Sequence, residues 1–251
     1  MPILVPFHQD ERLPRDTIPV PGAAPFTPEL TGADQLARMG QLYDAVADEV
    51  ASRIRANTVP AVVSGDCLMA LGVLTGVQRA GVSPSILWLD AHGDVHTPET
   101  STSGYLGGMA LRFLLGAAPG PLAEKLGLRP LAEESATLVD ARDLDPAEVE
   151  YLATAKVRRV PVSDVEAPEG PVILHVDVDV LDSGELPGLR FPAADGPAKA
   201  ELLRAVGRIL DGGNVVAVHI ACPWFPGQEQ EIRAQLLAEL LDCLSPVSCD
   251  E

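Results

Sequence analysis

Short apolar runs alternate with amphipathic segments along nearly the whole chain, and this alternation limits the possible folds more than any other feature. Runs of Val, Ile and Leu without intervening polar residues are typical of strands that are covered on both faces, and segments of helical period supply the covers. The pattern therefore predicts an α/β fold in which helices cover both faces of a mostly parallel sheet. The predicted strands are 2–5, 60–63, 86–89, 137–139, 157–160, 172–176 and 215–220, and the predicted helices are 34–56, 67–79, 106–115, 146–155, 198–210 and 230–244.

A single domain over residues 1–251 is the division that this pattern favours. A chain of this length fits one large α/β domain as well as two small ones. Two domains would need a polar or Pro/Gly/Ser-rich linker, and the best candidate, 161–171, reads as a loop between two strands. We therefore expect one fold to include all the predicted strands.

Composition argues against several classes of protein. The chain has 36 acidic and 18 basic residues and a net charge of -18, so its field would repel a nucleic-acid backbone. No apolar run reaches the roughly 18–20 residues that cross a bilayer, and the N-terminal segment lacks the basic and apolar regions of a signal peptide. The four cysteines include no CxxC pair, which favours a reducing, cytoplasmic location over a disulfide scaffold.

Asp90, His92 and Asp94 directly follow the predicted strand 86–89, and His96 continues the same alternation. Residues two apart in an extended segment point the same way, so these side chains are expected to converge. Carboxylates on one side of a strand end repel one another unless a positive charge lies among them. A solvated acidic loop is the alternative, but the abrupt change from apolar to acidic residues favours a divalent cation.

A second pair of carboxylates, Asp177 and Asp179, ends the predicted strand 172–176. Two such clusters, each at the end of a buried strand, require four aspartates to lose water together, which a metal ion would offset. His175 precedes this pair, and we interpret it as a structural residue on the opposite face of the strand.

Cys67 opens the predicted helix 67–79, directly after Ser64-Gly65-Asp66. A thiol at a helix N-terminus has a lowered pKa and can bind a metal as the thiolate. Taken alone, a cysteine is more often a small buried residue. Both interpretations stay open from the spacing.

These three segments, in this order, resemble the motifs of the ureohydrolases, the family of arginases, agmatinases and formimino- and guanidino-acid hydrolases. The family pattern is a GGDH-like motif, then DAHxD, then DxD, and here it is 64–67, 90–94 and 177–179. The resemblance implies a three-layer α/β/α fold, two Mn²⁺ ions per subunit and a homo-oligomer, a trimer or hexamer. It implies that metal-bound hydroxide hydrolyses a linear C–N bond in a small guanidino, hydroxyguanidino or related amidine compound. The implied ligands are Asp90 and Asp177, shared by both ions, Cys67 and Asp94 on one ion, and His92 and Asp179 on the other.

Further segments resemble the parts of these enzymes that bind substrate. Ser101 and Ser103 lie where family members bind the amino-acid end of the substrate, and Tyr105 follows in the same loop. The segment 142–146 resembles an RDxD motif and implies that Asp145 contacts a substrate amino group with Glu148 beside it. An N-cap on the helix starting at 146 is an equally good interpretation of Asp145.

Three departures from the family pattern bear on the chemistry. Cys67 replaces a histidine ligand, and its softer sulfur should shift preference from manganese toward zinc or iron. A branch of the family that acts on Nω-hydroxyarginine resembles this chain in that cysteine and in the stretch 104–109. Gly107 occupies the position of a proton-shuttling histidine, so His96, Tyr105, water or the substrate must protonate the leaving group. Cys222 aligns with a glutamate that pairs with the guanidinium.

We interpret the chain as an enzyme in which Asp94 and His96 are catalytic residues. His96 and Cys222 are also expected in the substrate pocket. The first alternative is a ureohydrolase fold that has lost turnover and binds a metal, a small molecule or a partner subunit. The second is a deacetylase of the histone-deacetylase type, but those enzymes use one zinc ion, and six candidate ligands suit two ions better.

Overall fold

A seven-stranded parallel sheet lies at the centre of the computed structural model, which describes residues 1–227 and 229–244. Its strands are β1 (Ile3–Val5), β4 (Ala61–Ser64), β5 (Ser85–Asp90), β6 (Ala136–Asp140), β7 (Arg158–Val160), β8 (Val172–Asp177) and β9 (Val215–Ala221). They are ordered β1-β4-β9-β8-β5-β6-β7, and every neighbouring pair is parallel. A two-stranded hairpin, β2 (Phe7–His8) and β3 (Glu11–Arg12), stands apart from this sheet.

Helices cover both faces of the sheet, as the alternation predicted. The helices are α1 (Gln35–Arg55), α2 (Ala70–Arg79), α3 (Ala110–Arg112), α4 (Gly120–Leu126), α5 (Pro146–Leu152), α6 (Lys199–Asp211) and α7 (Gln230–Asp242). One core packs α1, α2 and α4 on the sheet face that carries Ile86 and Trp88. The other core packs α6 and α7 on the face that carries Leu87 and Leu89. The predicted α/β fold with helices on both faces is confirmed.

The predicted helix 106–115 is in fact three short segments. A 3₁₀ turn (Gly107–Met109) leads into α3, and a π-helical turn (Phe113–Ala117) follows, in which Gly116 has a φ of 112°. The apolar spacing predicted a helix here but could not show how tightly it winds. The hairpin β2–β3 and helix α4 were not predicted, because each is too short to show a period.

His175 does not lie on the opposite side from Asp177, so that prediction is wrong. Both residues belong to β8 and are two positions apart, and such residues point to the same face of a strand. The sheet register pairs His175 with Trp88 of β5 on one side and with His219 of β9 on the other. All three side chains are fully buried.

None of the helices in the described part of the chain combines the length and the apolar character that crossing a bilayer requires.

Candidate active site

A pocket of about 190 Å³ opens where β4, β5 and β8 end, at the carboxyl edge of the sheet. This is the edge where open parallel sheets bind their ligands. Its lining includes twelve of the residues singled out from the sequence, which are Cys67, Asp90, His92, Asp94, His96, Ser101, Ser103, Tyr105, Asp145, Glu148, Asp177 and Asp179. The structure therefore brings together all of the proposed site residues except Cys222.

One group of metal-type donors consists of Asp90, His92 and Asp179. The Nδ1 atom of His92 lies 3.3 Å from Asp90 Oδ1 and 3.2 Å from Asp179 Oδ2. Burial opposes the charged imidazole, but hydrogen bonds with Asp179 and Asp90 prevail and raise the pKa of His92 to about 12. Two strand ends thus present their carboxylates to one imidazole.

A second group of metal-type donors consists of Cys67, Asp90 and His175, with Asp177 beside Cys67. The Cys67 Sγ atom lies 2.8 Å from Asp177 Oδ2 and 3.9 Å from Asp90 Oδ2. A 3₁₀ turn (Cys67–Met69) precedes α2, and the Asp66 side chain caps this turn by accepting from Leu68 N. Burial, and then the neighbouring charge of Asp177, raise the pKa of the Cys67 thiol well above its usual value.

Asp94 reaches the cluster by a route that the sequence did not predict. Strand β5 ends at Asp90, and Asp94 lies in the following loop with a φ of 52°, in the left-handed region. Strand alternation therefore does not aim its carboxylate. Asp94 Oδ2 is buried and has no hydrogen-bond partner within the described residues.

The chemistry of this cluster fits divalent metal ions. Burial, and then repulsion from Asp179, raise the pKa of Asp90 to about 6. Burial likewise raises the pKa of Asp94 and Asp177 well above the usual value. So many dry carboxylates are costly unless cations neutralise them. Carboxylate oxygens, an imidazole nitrogen and a thiolate are ordinary ligands of such cations, and the unpartnered Asp94 Oδ2 is the kind of atom that an ion would satisfy.

His96 and Asp145 form a pair at the side of the pocket. His96 Nε2 lies 3.0 Å from Asp145 Oδ2, and His96 Nδ1 lies 3.1 Å from Thr100 Oγ1. Both ring nitrogens are therefore engaged within the protein, and His96 holds the Asp145 carboxylate in place. Asp145 is also the N-cap residue of α5, as one of the two interpretations expected. Glu148 Oε2 accepts from Asp145 N at this helix start, and Glu148 Oε1 accepts from Val95 N.

The loop 101–108 forms the opposite side of the pocket. The hydroxyl oxygens of Ser101 and Ser103 lie 3.4 Å apart and accept from the backbone N–H groups of Gly104 and Tyr105, respectively. The Tyr105 ring fills the space that a side chain at Gly107 would occupy: a Cβ placed there would lie 2.6 Å from the Tyr105 hydroxyl. The phenol thus takes the volume in which the family resemblance implied a histidine.

His8 does not line the pocket but contacts Tyr105, which does, and sequence reasoning missed it. Its Nδ1 lies 2.9 Å from Gly65 O, and its Nε2 lies 3.3 Å from the Tyr105 hydroxyl. Because a carbonyl only accepts, Nδ1 must donate, and in the neutral ring Nε2 then accepts from Tyr105. A lone histidine in a two-residue strand gave no signal in the sequence.

Phe191, Pro223 and Asp143 also line the pocket and were not among the predicted site residues. The Phe191 side chain stands beside Tyr105, with ring centroids 4.9 Å apart. Asp143 Oδ2 lies 3.9 Å from His92 Nε2. Asp143 lies inside the segment 142–146 that resembles the RDxD motif, so this resemblance could have identified it.

Cys222 is not in the pocket, which corrects its predicted role in substrate binding. It follows the end of β9, is fully buried and packs in the core beneath α6 and α7, with Ile220 and Trp224. Ala221, its neighbour in β9, faces the other core. The ungapped alignment identified the correct strand end but the wrong face of the sheet.

Comparison with known proteins gives consistent matches. The family model described as the arginase family matches residues 16–244. The Nω-hydroxy-L-arginine amidinohydrolase of Streptomyces lavendulae is 32% identical over 209 residues, which cover 80% of this chain and 74% of that protein. An arginase of Staphylococcus aureus is 30% identical over 68% of this chain, and the match spans 62% of that arginase.

Solved structures agree in fold. The arginase from Bacillus subtilis matches with a TM-score of 0.79 at 23% identity and covers 96% of both chains. The arginase from Bacillus cereus matches with a TM-score of 0.73 at 25% identity, over 83% of this chain and 78% of that one.

Proposed function

Because this chain belongs to the arginase family and is a metal-dependent hydrolase of C–N bonds in linear guanidino compounds, we propose that its substrate is an Nω-hydroxyguanidino amino acid. The observation that carries this proposal is a group of four buried aspartates, a buried cysteine and a half-buried histidine beside a hydroxyl-lined loop. The 32% identity to the amidinohydrolase of Streptomyces lavendulae supports the choice of substrate.

The pocket itself also favours a hydroxyguanidino group over an ordinary guanidinium. A desolvated guanidinium needs a carboxylate partner, or it loses several kcal/mol. Cys222 stands where the alignment placed that carboxylate, and it is buried in the other core. An N-hydroxyguanidine is a weaker base than a guanidine, because its oxygen withdraws electrons, so it can enter the site uncharged and needs no such partner.

The proposed metal ligands are the six residues implied by the family resemblance. Two Mn²⁺ ions would share Asp90 and Asp177, with Cys67 and Asp94 on one ion and His92 and Asp179 on the other. Supporting this set, Asp90 belongs to both donor groups, and Asp94 Oδ2 has no protein partner among the described residues. Divalent ions bound there would polarise the substrate and lower the pKa of water.

The residues of the chain would position the substrate and move protons. Ser101, Ser103 and Asp145 would bind its amino-acid end, and His96 would orient Asp145. The Asp94 carboxylate would accept a proton from the attacking water through the oxygen that does not bind the ion. When His8 carries a proton on both ring nitrogens, Nε2 donates to the Tyr105 hydroxyl. The phenol proton would then pass to the departing nitrogen as that nitrogen takes the electron pair of the broken C–N bond, and the Nε2 proton of His8 would replace it on Tyr105.

The test is a substrate panel with the purified, metal-loaded chain. Nω-Hydroxy-L-arginine, L-arginine, agmatine and formiminoglutamate would be compared by release of the amine product. We expect kcat/KM to be highest for Nω-hydroxy-L-arginine. A metal-replete protein that hydrolyses none of the four would favour the binding protein without turnover, which no observation on the described residues supports at present. The cytoplasmic location and the trimer or hexamer stay predictions.

A further inference from the structure

A buried chain of hydrogen bonds runs behind the proposed metal centre, from β4 through β9 to β8. Ser64 Oγ donates to the carbonyl oxygen of Asp66 at 2.9 Å. The same hydroxyl lies 2.8 Å from His219 Nε2. His219 Nδ1 in turn lies 2.8 Å from His175 Nδ1. Every side chain in this chain of contacts is buried from solvent.

The direction of each hydrogen bond follows from the first one. A hydroxyl has one proton, and Ser64 gives it to a carbonyl, so His219 Nε2 must donate to Ser64. A neutral imidazole has one donor and one acceptor, so His219 Nδ1 must accept. His175 Nδ1 is therefore the donor in the contact between the two histidines. His175 Nε2 is left with an unprotonated lone pair.

That lone pair has no hydrogen-bond partner within the described residues, although His175 is completely buried. An imidazole nitrogen of His175 lies within 4.8 Å of both the Cys67 sulfur and an Asp90 oxygen. Since His175 Nδ1 donates to His219, Nε2 is the nitrogen that can bind a metal ion together with Cys67 and Asp90. The Trp88 ring stacks on His175 with centroids 3.6 Å apart and holds the imidazole plane.

We propose that His175 Nε2 is a direct metal ligand and completes a sulfur, oxygen and nitrogen site with Cys67 and Asp90. A histidine that binds a metal characteristically donates its other ring N–H to a fixed partner, which sets its tautomer and its orientation. His219 is that partner here, and Ser64 fixes His219. The proposal rests on the metal centre of the proposed function but not on its substrate.

This ligand set distinguishes the two ions from each other. The ion at Cys67 would have a thiolate and an imidazole, which suit zinc, iron and cobalt, whereas the ion at Asp179 would have mainly oxygen ligands, which suit manganese. The first family motif has a histidine ligand where this chain has Cys67. His175 of β8 would thus supply an imidazole to the same ion from a different strand. A mixed pair of ions is the expected state when both zinc and manganese are present.

The test uses the full-length chain loaded with Co²⁺ and two matched variants. His175→Asn keeps a side-chain N–H that can donate to His219 but removes Nε2. His219→Asn is the control, because it changes an equally buried neighbour and keeps an acceptor for His175 Nδ1. Cobalt content after gel filtration and the thiolate-to-cobalt absorption band are the readouts.

We expect the wild type to retain two cobalt ions and the thiolate band. His219→Asn keeps an acceptor for His175 Nδ1, so it should keep the band and lose no more than the roughly 10–100-fold in affinity that a changed outer hydrogen bond causes. His175→Asn should lose the band, and its affinity for one ion should fall by more than the roughly 10–100-fold that follows loss of an outer hydrogen bond. Unchanged cobalt content and an unchanged band in His175→Asn would overturn the proposal.

X-ray absorption of the zinc-loaded wild type counts the imidazole ligands directly, so it tests the proposal even if His175→Asn fails to fold. The proposal requires two imidazoles for two ions, from His92 and His175, and a single imidazole would refute it. Neither readout depends on turnover. Failure of the substrate panel would therefore reject the proposed function and leave the ligand assignment standing, and the reverse holds as well.

Discussion

The floor and the wall of the pocket are built in different ways. The floor, consisting of Cys67, Asp90, His92, Asp94, Asp177 and Asp179, lies at or just beyond the ends of β4, β5 and β8 and is largely buried. The wall, consisting of His96, Ser101, Ser103, Tyr105 and Asp145, comes from loops and is more exposed. The floor therefore depends on the sheet register, whereas the wall depends on contacts between loops.

The comparison shows where family resemblance is a good guide to this chain. The floor follows the family motifs with one replacement, Cys67, and its donors lie together. The wall departs from the pattern at Gly107, where the Tyr105 phenol fills the space. It also lacks the family glutamate that pairs with the guanidinium, because Cys222, which aligns with that glutamate, lies outside the pocket. We therefore expect substitutions in the floor to remove metal and those in the wall to alter turnover while metal stays bound.

The largest effect is expected from Asp177→Ala. This carboxylate is proposed to serve both ions, so both should be lost, and kcat/KM should fall at least about 10³-fold, or about 4 kcal/mol. Metal content by elemental analysis and steady-state kinetics are the measurements. The control is Asp211→Ala at the exposed end of α6. Full metal retention in Asp177→Ala would show that the floor is assigned incorrectly.

Tyr105→Phe should have the next largest effect and should act on turnover alone. General acids contribute roughly 10²–10⁴-fold, so we expect kcat to fall at least about 100-fold with unchanged metal content. Tyr151→Phe is the matched control, since its hydroxyl donates to Glu133 away from the pocket. A Tyr105→Phe variant with normal kcat would mean that another group protonates the leaving nitrogen.

Removal of metal should make stability depend on pH in a defined direction. The pKa of Asp90 in the folded chain is about 6 and those of Asp94 and Asp177 are also raised, whereas unfolded aspartate titrates near about 3.9. The metal-free folded state then binds more protons than the unfolded state, so its stability falls as the pH rises through about 6. His92, with a folded pKa of about 12, acts in the same direction above its ordinary value.

Thermal unfolding of the chelated protein between about pH 5 and pH 8 measures this effect, with the metal-loaded protein as the control. The Tm of the chelated protein should decrease across this range, and bound metal should largely remove the decrease because it neutralises the carboxylates. A chelated protein whose Tm is constant or rises over the same range would contradict the charge crowding in the floor.

Cys222→Ser should have the smallest effect on function and a modest effect on stability. A hydroxyl without a partner in the core beneath α6 and α7 costs about 1–3 kcal/mol, so the free energy of unfolding should decrease by that amount. Metal content and KM should match the wild type, because the residue does not face the substrate. A clear rise in KM without loss of stability would show that Cys222 does contact the substrate.

Much of the fold and of the floor was predictable because the signals are local. Each strand of the central sheet was predicted to within one residue of its observed ends. The Asp34 side chain caps α1 by accepting from Ala37 N. The aspartates at the ends of β5 and β8 were recognisable because a buried strand that ends in carboxylates is rare without a ligand. The single-domain division and the individual metal ligands stay predictions.

The errors arose where local rules stop. The alternation of side chains along a strand does not predict where Asp94 points, since β5 ends at Asp90 and Asp94 lies in a loop with a left-handed backbone. The side of β8 on which His175 lies was misjudged, although the alternation rule gives it correctly. The role of His96 changed once Thr100 and Asp145 were seen to occupy both of its nitrogens.

The sequence by itself determined the α/β layering and the acidic strand ends, because hydrophobic periodicity and strand alternation act between residues only a few positions apart. Only the tertiary structure decided that β8 lies between β5 and β9, which places His175 between Trp88 and His219. It alone also placed His8 against Tyr105, 97 residues away. Such contacts depend on strand order and on the packing of distant segments, and no local pattern in the chain encodes them.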